Sequence, residues 1–157
     1  MNNSTKRSIK RLSIAILVLG GLSLAYTYGV MISQLWGNNI NPVTWNPDIR
    51  GWQIFIIAGR AIGIALLYAL CCIFLYRTNR GLENGEVFPK SNISLIRWTA
   101  LVSVLLAIVR SNYDAVVKGE SALMLDSNVF LVPLIVLLFA GLYRMAYLAA
   151  KDSNLAI

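Results

Sequence analysis

Apolar residues run along this chain in four long blocks, and polar residues collect between them. The blocks Leu12–Trp36, Trp52–Tyr76 and Asn128–Ala150 are each longer than the ~20 residues a helix needs to cross a bilayer. The third block is weaker. Only the 12 residues Trp98–Val109 are free of charge, a length that alone suggests a buried or re-entrant piece. Extended to Leu95–Val117 it reaches spanning length, but it then admits Arg97, Arg110 and Asp114. Arg97 can snorkel from the end of such a helix; the other two need partners. The pattern predicts an all-α, four-helix transmembrane bundle. It forms a single domain over residues 1–157, with a polar loop at 77–94 between the second and third helices.

Charge orients the four helices. The chain has 14 Lys and Arg. Ten lie on one side: Lys6, Arg7, Lys10, Arg11, Arg77, Arg80, Lys90, Arg97, Arg144 and Lys151. Two, Arg50 and Lys118, lie on the other, and Arg60 and Arg110 fall within the apolar blocks. Cationic loops stay in the cytoplasm, so both termini and the middle loop are expected there. The asymmetry also requires the third block to cross. The first block has a basic start and a "SLA" stretch at Ser23–Ala25 that resembles a cleavage site. Its apolar run outlasts the 7–15-residue core of a signal peptide, which favours a retained helix.

Composition agrees: 57% of residues are hydrophobic and 13% charged, against about 25% charged in a soluble domain. The net charge of +7 flanks apolar runs, so the expected partner is the lipid bilayer and not nucleic acid. The chain has no histidine, which removes the usual general base and the commonest metal ligand. With no metal-ligand cluster and no paired carboxylates in the apolar blocks, neither enzymatic activity nor a cofactor or metal is expected. Cys71 and Cys72 are adjacent and near the cytoplasmic end, where thiols stay reduced, so they read as small fillers.

Small residues recur along two helices. Gly21, Ala25, Gly29 and Ser33 line the first, and Ala58, Ala61, Ala65, Ala69 and Cys72 line the second. Such stripes let backbones approach closely in lipid, so the first two helices are expected to pack along them; the alternative is a homo-oligomer. Gly59 and Gly63 lie on another side of the second helix. The connection "GNNINPVTWNPDIRG" is flanked or occupied by Trp36, Trp45 and Trp52, indoles that prefer the headgroup level. It reads as an interface anchor.

Arg60 lies eight residues in from Trp52, ~12 Å along a helix, and Arg110 lies seven residues in from Val117, ~10 Å. Asp114 follows Arg110 by one turn, on the face that also carries Thr99 and Ser103. With Gln34, Ser33 and Gln53 these residues form a candidate polar pocket opening outward. Either Asp114 bridges both arginines, or an anion completes the site, since guanidinium suits phosphate and carboxylate.

The most patterned polar stretch is "YRTNRGLENGEVFPKSNISLIRW", Tyr76–Trp98. The second helix is expected to run past Arg80 and stop near Asn84–Gly85. Ser91 or Asn92 is placed to cap the third helix, and Phe88 to staple against its first turn. "LENGEVFPKSNISLIRW" resembles the signature of the bacterial DUF2975 membrane proteins at Gly85, Phe88, Asn92, Leu95 and Arg97. The resemblance implies four helices with this loop in the cytoplasm, and a small helix-turn-helix regulator as a candidate partner. Where that family commonly has Thr-x-Glu-Asn after the Phe, this chain has Pro89-Lys90-Ser91-Asn92, which removes a capping carboxylate and leaves a more basic loop.

These readings converge on a non-enzymatic membrane protein, a sensor or an anchor for a cytoplasmic regulator. Arg80, Glu83, Glu86, Phe88, Lys90 and Asn92 are the candidate partner-binding loop. The alternative is a lipid- or anion-binding transporter or accessory protein that uses Arg60, Arg110, Asp114, Gln34 and Gln53.

Overall fold

The computed structural model describes residues 3–38, 41–121, 123 and 130–155. Among them lie four α-helices: α1 Asn3–Leu35, α2 Arg50–Glu83, α3 Ser91–Val117 and α4 Leu131–Leu155. A 3-10 turn, Pro47–Ile49, leads into α2, with the Asn46 side chain accepting the Asp48 N–H at 3.0 Å. All four helices are long and apolar enough to cross a bilayer. Helix is the form such sequences take, because it satisfies every backbone polar group within the segment. Large apolar side chains stay exposed along each helix, among them Leu19, Ile62, Leu105 and Leu138.

The helices overrun their apolar blocks. The basic segment before Leu12 is helical from Asn3, and α2 continues to Glu83. The expected 77–94 loop is therefore only the turn between Glu83 and Ser91. The start of the fourth block, at Asn128, lies outside the described residues. Helix α2 stops where Gly85 adopts φ +84°, a conformation that favours a residue without Cβ. Its N–H bonds Leu82 O at 3.4 Å, and the Glu86 N–H bonds Gly81 O at 2.8 Å, a Schellman closure. Helix α3 closes identically at Gly119, with Glu120 N–H on Ala115 O at 3.0 Å.

Packing follows chain order: α2 and α3 form the central pair, α1 lies against α2 and α4 against α3. Two clusters hold this row together, one at each end. At the end carrying the 36–49 connection, Met31, Ile56, Ile57, Val109, Tyr113, Val116 and Val117 form a buried core from α1, α2 and α3. At the end carrying the 84–90 turn, α2, α3 and α4 meet around Tyr143. Its ring stands edge-on to Phe88 at 5.4 Å and to Phe74 at 6.1 Å.

The α1–α2 contact corrects the expectation of a close seam of small residues. Ala25 and Gly29 on α1, and Ala58 and Ala69 on α2, are exposed. Two tyrosines span the contact instead. The Tyr68 ring lies over Gly20 and Gly21, where an added Cβ would meet it at 3.1 Å, and its hydroxyl donates to Leu17 O at 3.0 Å. The Tyr28 hydroxyl donates to Ala61 O at 2.6 Å. The Tyr68 ring fills the space the glycines leave. The close approach occurs on the other face of α2, where Gly59 sits against Val109 and Gly63 against Leu106.

Candidate functional site

The sequence-selected polar residues do not form one pocket. Gln53 is fully buried and belongs to the scaffold. Its Nε2 donates to Thr44 O at 2.8 Å and Val116 O at 2.9 Å, and its Oε1 accepts the Asn46 N–H at 2.9 Å. It fastens the connection before α2 onto the end of α3. Thr99 and Ser103 turn their hydroxyls back onto carbonyls one turn earlier, Leu95 O at 3.0 Å and Thr99 O at 2.8 Å. Arg110 and Asp114 are both exposed.

Asp114 does not bridge the arginines. Among the described residues the ion pair within 4.0 Å is Lys10–Glu83, at 3.9 Å. The geometric reason is the rotation of α3: Tyr113, not Asp114, turns toward α2. The Arg60 guanidinium lies over the Tyr113 ring, 3.7 Å from its centroid. Tyr113 is 3% exposed, and its hydroxyl donates to Gln34 Oε1 at 2.6 Å. Residues from α1 and α3 thus fix the α2 cation: Gln34 holds Tyr113, and Tyr113 carries Arg60. Gly59 and Gly63 bring the backbones together beside it, which places Arg60 at the α2–α3 seam.

Energetically the stack is incomplete. A cation at the centre of a spanning helix costs ~2.5–3.5 kcal/mol by insertion scales, whereas a cation–π contact returns ~0.5–2 kcal/mol. The ring face offers the cation no hydrogen-bond acceptor for its N–H groups. No described group accepts a hydrogen bond from Arg60.

The second candidate set, around the 84–90 turn, divides as well. Arg80, Glu83, Glu86 and Lys90 are exposed. Phe88 and Asn92 are structural. Asn92 is fully buried and does not cap α3; residue Lys90 precedes the helix without a side-chain cap. Its Nδ2 donates to Thr78 Oγ1 at 2.9 Å and to the Tyr143 hydroxyl oxygen at 3.2 Å, tying α2, α3 and α4 together. Phe88 packs edge-on against Tyr143 of α4. Gly81 is needed beneath them, since a Cβ there would lie 2.5 Å from Pro89 Cγ. Above this cluster, Leu67, Cys71, Phe74, Ile96, Phe139 and Leu142 line an apolar cavity of about 500 Å³.

Sequence reasoning missed Tyr113 and Tyr143. Each was legible only as another aromatic in an apolar block; Tyr113 lies four residues in from Val117, against eight for Arg60 from Trp52, so depth did not single it out. Among the described residues no group of His, Cys, Asp and Glu is arranged to hold a metal. Comparison with known proteins finds no matching family model, no matching curated protein and no matching solved structure.

Proposed function

We propose that this chain is a non-enzymatic, multi-pass protein of the bacterial cytoplasmic membrane that holds a soluble regulatory protein at the cytoplasmic face. The observation that carries the reading is the joint overrun of α1 and α2. Helix α1 has 33 residues and α2 has 34, ~50 Å each at ~1.5 Å per residue, against a hydrocarbon core of ~30 Å. With Trp36 and Trp52 at the outer headgroups, the excess lies at the opposite end, where both helices project together. They are in register there: Lys10 Nζ lies 3.9 Å from Glu83, and the Ser13 hydroxyl lies 3.5 Å from Asn79 Oδ1. The charge asymmetry of the loops supports assigning this end to the cytoplasm.

The projection presents Lys6, Arg7, Lys10, Arg11, Arg77, Arg80 and Lys90 against Glu83 and Glu86. Its chemistry suits an acidic protein surface, and its helical form gives a partner a fixed shape to read. The DUF2975 resemblance nominates a small helix-turn-helix regulator. The test is co-purification from membranes with a K6Q/R7Q/K10Q variant, which leaves Arg11, Arg77, Arg80 and Arg97 to set orientation. A soluble protein retained at one per chain by the wild type, and lost from the normally inserted variant, is the expected result. Equal retention by both, or no retained protein, refutes it.

A further inference from the structure

We propose that Arg60, mounted on Tyr113 and Gln34, is a binding site for a phosphate or carboxylate group in the leaflet facing the 36–49 connection. This does not depend on the partner-docking reading, which concerns the other end of the molecule.

Three observations converge. First, Arg60 is the charged member of an ordered assembly. Tyr113 is 3% exposed, its hydroxyl donates to Gln34 Oε1 at 2.6 Å, and the guanidinium rests 3.7 Å from the ring centroid. Orientation is therefore set before any ligand arrives, which lowers the ordering cost of binding. Second, the ring supplies a cation–π contact to the guanidinium and no hydrogen-bond acceptor for its N–H donors. Arg60 makes no hydrogen bond and no ion pair among the described residues, and Asp114, the carboxylate on the adjoining position of α3, is exposed and lies beyond ion-pair distance. Third, Arg60 is only half-buried, so the residue is not sealed inside the α2–α3 seam.

A planar fork of N–H groups in a low-dielectric setting matches the two oxygens of a phosphate or carboxylate. Arg60 lies eight residues along α2 from Trp52, ~12 Å from the headgroup level, a span its long side chain and a drawn-in headgroup share. Exposed Arg110, one turn from Tyr113 on α3, adds positive field at the rim. Two sources supply this chemistry: the headgroup of an anionic lipid, or a free anion entering from outside.

The test places the full chain in nanodiscs of phosphatidylcholine with and without phosphatidylglycerol. Native mass spectrometry counts retained lipids, and a parallel titration adds inorganic phosphate to the phosphatidylcholine discs while following thermal unfolding. Wild type, R60Q and R60K are compared, all with the cytoplasmic basic end intact. A preference of wild type for phosphatidylglycerol that falls roughly tenfold in R60Q, as expected for loss of one charge-assisted bidentate contact, identifies a lipid headgroup. R60K, which keeps the charge but not the fork, falls between them. Stabilisation by phosphate in wild type but not in R60Q identifies a free anion. The proposal is overturned if wild type shows neither response, or if R60K binds as wild type does; the latter comparison stands even if R60Q does not insert.

Discussion

Gln53→Leu isolates the clamp that joins the 36–49 connection to α2 and α3. Leucine has nearly the volume of glutamine, so the substitution deletes hydrogen bonds without opening a cavity. Three are lost: Asn46 N–H to Oε1 at 2.9 Å, and Nε2 to Thr44 O at 2.8 Å and Val116 O at 2.9 Å. At ~0.5–1.5 kcal/mol net each, the gross loss is ~1.5–4.5 kcal/mol. Val116 O keeps the Gly119 N–H at 3.1 Å, and Thr44 stays tied through its own N–H to Val117 O at 2.9 Å. Thr44 is exposed and Asn46 half-exposed, so water reaches the remaining groups. These offsets bring the expected destabilisation to about 2 kcal/mol. Gln53→Glu keeps the acceptor for Asn46 but sets a buried carboxylate against two carbonyls, so it destabilises more than Leu. Equilibrium unfolding in mixed micelles measures both, and Trp45 emission reports release of the connection. If Gln53→Leu stays within ~0.5 kcal/mol of wild type, the level of an inert surface change, with Trp45 emission unshifted, the clamp does not hold the connection.

The opposite end yields two further predictions. Gly81→Ala puts a methyl 2.5 Å from Pro89 Cγ and 2.9 Å from the Glu86 carbonyl; overpacking of this kind costs ~1–3 kcal/mol and opens the turn, read as faster tryptic cleavage at Arg80 and Lys90. Tyr143→Phe keeps the ring contacts with Phe74 and Phe88 and loses the Asn92 hydrogen bond, a change of ~1 kcal/mol. Tyr143→Ala removes the ring as well and costs ~3–5 kcal/mol. Equal effects of the two Tyr143 variants in the same unfolding assay would show that the ring carries nothing.

The sequence alone determined the four helices, because apolar blocks long enough to cross a bilayer take the form that pairs every backbone group within the segment. It also marked the helix ends at Asn84–Gly85, where glycine chemistry is local. It did not determine where the basic segment before Leu12 belongs, since a helix that leaves the apolar block continues by propensity and by contact with its neighbour. Nor could it choose the face each polar residue takes. Asp114 and Tyr113 are adjacent in the chain, yet only one can turn toward Arg60, and the rotation of α3 is set by Gly59 and Gly63 accepting Val109 and Leu106. Gln53 and Asn92 looked like ligand or cap residues because their groups are equally suited to backbone, side-chain or ligand partners. Tertiary packing supplied Thr44, Asn46 and Val116 to the first, and Thr78 and Tyr143 to the second. Arg60 differs from both: the fold gave it a surface to lie on and no acceptor, because a neighbouring ring offers a cation its face but nothing for its hydrogen-bond donors.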